Sequence, residues 1–188
     1  METAASGLLM MMTEPNDVDL IRAIRTDGSL EATSQLYRRH WPSAWRAAFA
    51  VTGRRAMADD LAQEAFLDAL RSLDRFDSDR SFPAWLHRIT VNRALNALRD
   101  ERRLVELGEA YPRQGEWVDE MAFDPDLMNA LADLSPERRA VVVLHHWFGY
   151  STAEIAEMLE TPVGTVYSRL GRALDQLRSS LEVLDANT

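Results

Sequence analysis

The sequence has no cysteine and no lysine. Without cysteine there are no disulfide staples, thiolate metal sites or cysteine nucleophiles, and a cytoplasmic setting is the natural expectation. Without lysine, all 21 basic residues are arginine, a usage that a GC-rich genome accounts for. Glycine and proline are sparse, at 8 and 7 in 188 residues, and strand-like alternation is missing. No fixed-period repeat or low-complexity tract interrupts the chain. Long apolar runs are missing as well. Residues 8–12 are too few for a signal-peptide core and lack a basic flank. No stretch approaches the roughly 20 apolar residues needed to span a bilayer. A soluble chain without membrane insertion is expected.

What is present is helical. Hydrophobic residues make up 46% of the chain and recur three or four apart almost throughout, so a buried core is expected. The net charge of −9 argues against a wholly nucleic-acid-facing surface, yet it is unevenly spread. Residues 35–103 hold thirteen arginines against nine acids, whereas 104–130 hold one arginine against seven acids.

The pattern divides the chain into segments. Residues 1–15 are expected to be disordered, with Met10, Met11 and Met12 as alternative starts to Met1. Helical spacing begins at Asp17, pauses at Asp27-Gly28-Ser29 and resumes at Leu30, with Pro42 expected to interrupt or kink that helix. Thr52-Gly53 closes it. A further helix is predicted over 57–73, a polar turn-rich segment over 74–83 and a long helix over 84–103. Residues 104–126 lose the period and read as a flexible acidic linker. Helical spacing returns at Leu127, and Ser135-Pro136-Glu137 is a helix start with serine as cap and proline in the first turn. The fold class is therefore all-α, with small helical domains at 16–103 and 127–184.

The clearest local signal lies near the C-terminus. Ser151-Thr152-Ala153-Glu154 is a capping box opening a helix with Ile155, Met158 and Leu159 on one face. Thr161-Pro162 then starts another, with Val163, Val166, Leu170, Leu174 and Leu177 inward. Thr165, Ser168, Arg169, Arg172 and Gln176 fall on its opposite face. Two such helices across a tight turn form a helix-turn-helix, whose second helix enters the major groove.

Tyr150-Ser151-Thr152-Ala153-Glu154-Ile155-Ala156 and Pro162-Val163-Gly164-Thr165-Val166-Tyr167-Ser168-Arg169-Leu170 resemble the fourth conserved region of extracytoplasmic-function (ECF) sigma factors of the sigma-70 family. Leu134-Ser135-Pro136-Glu137-Arg138 resembles that domain's opening. The resemblance implies that Thr165, Tyr167, Ser168, Arg169 and Arg172 contact the promoter −35 element. Tyr167 stands where the family usually has a basic residue, and Gly171 where a larger residue is common.

The first domain carries a matching resemblance. Ala58-Asp59-Asp60-Leu61-Ala62-Gln63-Glu64-Ala65-Phe66 is similar to the family's polymerase-docking motif, which assigns Asp60, Gln63 and Glu64 to the clamp helices of RNA polymerase. Arg75-Phe76, Phe82-Pro83-Ala84-Trp85-Leu86 and Arg88-Ile89-Thr90-Val91-Asn92-Arg93 resemble its −10-reading segment. Single-strand recognition needs aromatic platforms, amides for base edges and arginines for the backbone. Phe76 and Phe82 are candidates for the first role, and Asn92 and Asn96 for the second. Arg88, Arg93, Arg99, Arg102 and Arg103 are candidates for the third. Trp85 is assigned to core packing.

The resemblance thus implies an alternative transcription initiation factor that binds the β and β′ subunits of core RNA polymerase and promoter DNA. It implies no catalysis and no cofactor, a linker threading cationic polymerase channels, a monomeric free state and a possible anti-sigma partner. A stand-alone helix-turn-helix regulator would need neither the docking motif nor the base-reading segment. An enzyme is disfavoured because His40, His87, His145 and His146 lack metal-pair spacing, and no phosphate loop or triad is present.

Overall fold

A computed structural model describes residues 14–107 and 125–185. Its eight α-helices are α1 (Asp17–Asp27), α2 (Leu30–Thr52), α3 (Arg55–Arg71), α4 (Phe82–Glu106), α5 (Pro125–Ala132), α6 (Pro136–Val142), α7 (Thr152–Met158) and α8 (Val163–Asp185). Most of the expected punctuation is physical. Asn16 accepts a hydrogen bond from Asp19 N–H to start α1, Gly28 ends it in the left-handed conformation, and Ser29 caps α2. The acidic segment at 108–124 and the N-terminal tail at 1–13 lie outside the described residues.

Two expectations need correction. Pro42 does not interrupt α2, which runs unbroken from Leu30 to Thr52. Its ring is exposed while Ala44, Ala47, Ala48 and Val51 are buried, so packing of that face outweighs the roughly 3 kcal/mol proline penalty. The long helix α4 also outlasts its expected end at Arg103 and reaches Glu106, helped by an Arg102–Glu106 ion pair one turn apart.

In the first domain α2 packs against α1, α3 and α4. Alanines on the buried sides of α2 and α3 let these helices approach, and Leu20, Ile21, Leu36, Phe66, Phe76, Phe82 and Leu86 fill the space between. Arg25 of α1 donates to the carbonyls of Leu73 and Phe76, tying down the start of the loop before α4. In the second domain α6 and α7 pack on α8. After Val142, α6 widens into a π-turn over Val143–Trp147, where Phe148 N–H donates to the Val143 carbonyl.

The two domains share one core. Ala47, Val51, Val91 and Leu95 of the first belong to the same buried cluster as Leu131, Val141, Leu144 and Ile155 of the second. Arg139, only 8% exposed, donates to Val51 O across the seam at 2.8 Å and to Ala132 O and Leu134 O on its own side. No helix among the described residues is long and apolar enough to cross a membrane.

His87 also bridges the seam. Ser43 Oγ donates to the His40 carbonyl, leaving it to accept from His87 Nε2–H at 3.1 Å while Tyr150 donates to Nδ1 at 2.8 Å. Burial, then the charges of His40 and Arg46, push the His87 pKa down to about 4. The unfolded chain takes up this proton near pH 6.5. Between pH 6.5 and about 4 the unfolded state therefore binds more protons, and stability falls as the pH drops through that window. Denaturant titrations at pH 7 and pH 5 should differ by roughly 2 kcal/mol, and His87→Gln should remove most of that difference. An unchanged pH slope in the variant would refute the assignment.

Candidate nucleic-acid and polymerase interface

Helix α3 separates its faces cleanly. Ala58, Leu61, Ala62, Ala65, Phe66 and Ala69 are buried, while Asp60, Gln63 and Glu64 project outward. Leu67, 42% exposed, shares their face one turn on. Asp68, next in the chain, is only partly exposed. Asp60 and Gln63 have no polar partner among the described residues. Glu64 is different, because it accepts a hydrogen bond from Arg93 of α4 at 2.5 Å, and Asp68 holds the other edge of that guanidinium.

Helix α4 carries most of the expected −10 residues. Arg99 and Arg103 are exposed, and Asn96 is exposed with its carbonyl oxygen bonded by Arg99 Nη1 at 2.8 Å. Asn92 is half-buried and donates to the Met158 carbonyl at 2.8 Å. Arg88 meets Glu160 at 2.8 Å. Arg93 is committed to Glu64 and Asp68.

The two phenylalanine assignments need correction. Phe76 and Phe82, expected as base platforms, are 5% and 2% exposed. Their rings lie 5.7 Å apart edge to face, and Phe82 also contacts Phe66 and His40. They close the core beneath the loop. Trp85, assigned to core packing, does pack on that core through Phe76 and Phe82, and, only half-buried, it also lines a cleft of about 290 Å³ with Arg80, Ala84, Arg88, Glu157 and Met158. One turn of α4 separates Phe82 from Trp85, so spacing could not say which ring faced out.

The helix-turn-helix forms as its motif requires. Ser151 accepts from Glu154 N–H and Glu154 accepts from Ser151 N–H, completing the capping box; the Ser151 hydroxyl, donating to the Glu154 carboxylate at 2.7 Å, and then the Ser151 N–H hold that carboxyl below its usual pKa. Thr161 does not cap α8; its hydroxyl turns back to the Leu159 carbonyl. On α8 Tyr167 is 61% exposed, Ser168 and Arg172 are exposed, and Thr165 and Arg169 are half-buried. Gln176, expected on the outer face, bonds Arg138 and the Asp133 carbonyl and so belongs to the packing of α8 against α6.

Residues 36–104 match sigma-70 region 2, and residues 125–177 match sigma-70 region 4. The chain is 35% identical over 174 residues to the ECF RNA polymerase sigma factor SigM of Mycobacterium tuberculosis, covering 92% of this chain and 88% of that one. It is 33% identical over 177 residues to ECF sigma factor SigE of Mycolicibacterium smegmatis, covering 89% and 68%. The chain belongs to the ECF sigma factors of the sigma-70 family. It is an alternative sigma factor that directs RNA polymerase to promoters.

Solved sigma factors share this fold. The structure resembles sigma factor RpoE, solved in complex with the anti-sigma factor NepR from Bartonella quintana, with a TM-score of 0.66 and 25% identity over 82% of this chain and 99% of that one. It also resembles CnrH, solved with the cytosolic domain of CnrY, with a TM-score of 0.64 and 31% identity over 92% and 99%.

Gly171 of this sigma factor is exposed on α8, and an added Cβ would meet nothing within 4 Å. Internal packing therefore does not require glycine there. Gly171→Ala should stabilise the free factor by up to about 1 kcal/mol in denaturant melts; no gain, or a loss, would contradict this account of the helix.

Proposed function

We propose that the outward face of α3 docks on core RNA polymerase, that α4 and the loop before it read the −10 element as a single strand, and that α8 reads the −35 element. The division into an outward face holding Asp60 and Gln63 without polar partners, with Glu64 and Leu67 beside them, and an arginine- and asparagine-bearing face on the adjacent helix is the observation that carries this reading. Asp60 and Gln63, with Leu67 beside them, offer acceptors, an amide and an apolar contact to arginines of the β′ clamp helices, with β as the second contact of the bound factor. On α4, Asn96, Arg99 and Arg103 are directly accessible, and Arg88, Asn92 and Arg93 become so when their present partners leave. Thr165, Tyr167, Ser168, Arg169 and Arg172 meet the major groove. Trp85 replaces Phe76 and Phe82 as the aromatic surface for a base.

In this reading the factor contributes binding and specificity while polymerase supplies the chemistry, so it has no catalytic residue and acts in the cytoplasm. The likeness to sigma factor RpoE, solved with the anti-sigma factor NepR, supports an anti-sigma partner for this chain as well.

Asp60→Arg with Glu64→Arg should abolish co-purification with core polymerase while circular dichroism stays native; retained binding would remove α3 from the interface. In run-off transcription, Asn92→Ala and Asn96→Ala should lower use of promoters through the −10 element, and Arg169→Ala and Arg172→Ala through the −35 element. Each lost base contact is worth about 1–3 kcal/mol, roughly tenfold or more. Four identical profiles on templates mutated separately in each element would contradict the division of labour.

A further inference from the structure

The end of α7 lies against the start of α4, and three of its polar groups have a partner on the reading side. The Glu157 carboxylate pairs with Arg80 in the loop before α4. The Met158 carbonyl accepts from the Asn92 amide at 2.8 Å. The Glu160 carboxylate pairs with Arg88 at 2.8 Å. Carboxylates on guanidiniums and a carbonyl on an asparagine amide are the contacts that phosphates and a base-edge acceptor of a nucleic-acid strand would make. Met158 and Trp85 line the same cleft, so a thioether occupies the neighbourhood where a base would stack.

We infer that the segment Glu157, Met158, Glu160 is an internal imitation of a nucleic-acid strand, covering the −10-reading surface while the two domains are closed. The inference rests on the assignment of α4 above.

Backbone geometry gives it independent support. Glu160 sits in the turn of the helix-turn-helix at φ +49°, the left-handed region. A residue with a Cβ there costs roughly 1–2 kcal/mol that glycine would avoid. An exposed ion pair returns about 0–1 kcal/mol, so Glu160 is not the residue that local stability alone favours in this turn. Its carboxylate is nevertheless the group that reaches Arg88. Both ion pairs are well exposed, which makes the cover weak, screened by salt and open to displacement by a real strand. The seam around Arg139 and His87 holds the domains in register and keeps the imitation in place.

The experiment uses the full chain, whose lack of cysteine allows clean labelling. Glu157→Gln with Glu160→Gln removes the imitated phosphates. Glu31→Gln with Glu182→Gln makes the same change in net charge at exposed sites elsewhere. Binding of a short fluorescent single DNA strand of mixed sequence is followed by anisotropy at low salt. The first variant should bind about fivefold more tightly than the native chain, the second no more than marginally so. Dyes on Ser34→Cys and Ser179→Cys, one exposed residue in each domain, should show high energy transfer in the free factor and lower transfer with core polymerase. Equal strand binding by the two variants, or a free factor already open, overturns the inference. Holoenzyme transcription with Arg88→Ala and Asn92→Ala separates this from failure of the underlying reading. If those variants keep full −10 dependence, the assignment of α4 falls and the inference with it. If they lose −10 dependence while strand binding is unmoved by Glu157→Gln and Glu160→Gln, the imitation alone is refuted.

Discussion

A single buried guanidinium decides how the two halves of this sigma factor meet. Arg139 brings a full charge into a seam where desolvation is expensive and recovers it through three carbonyls, of Val51, Ala132 and Leu134. Val51 lies in the last turn of α2, where carbonyls lack helical partners and the helix dipole favours a cation. The other two carbonyls fix the corner between α5 and α6. Burial lowers the Arg139 pKa to about 10, which still leaves it charged at neutral pH. With that contact in place, Val141 and Leu144 share a core with Ala47 and Val51, and Tyr150 reaches His87.

The same logic of one group serving two elements recurs at Arg93. Motif likeness places Glu64 at polymerase and Arg93 at DNA, yet here they bind each other, with Asp68 holding the second edge of the guanidinium. Helices α3 and α4 are thereby joined by a charged clasp on the surface as well as by alanine packing below it.

Much of this was legible in the sequence because it is local. Caps at Ser135 and Ser151, the pause at Asp27-Gly28-Ser29, the helix-turn-helix and the outward trio Asp60, Gln63 and Glu64 all depend on residues within a few positions of one another. What escaped is long-range. Arg139 to Val51, Asn92 to Met158 and Arg80 to Glu157 join residues 66 to 88 apart, and nothing in helical spacing pairs such positions. Phe82 and Trp85 lie a turn apart, and the sequence placed Phe82 at a base and Trp85 in the core, whereas packing buries Phe82 fully and leaves Trp85 half-buried. Pro42 misled for a similar reason, since local propensity carries no information about the buried alanine face along which α2 continues unbroken.

The common core has a consequence for the factor as a solute. Drawing the domains apart would present the Ala47, Val51 and Leu95 side of one and the Val141 and Leu144 side of the other to water as contiguous apolar surface, the kind of patch that monomeric proteins keep covered. An opened factor without polymerase would therefore be prone to self-association. The closed arrangement keeps both of these apolar sides out of water.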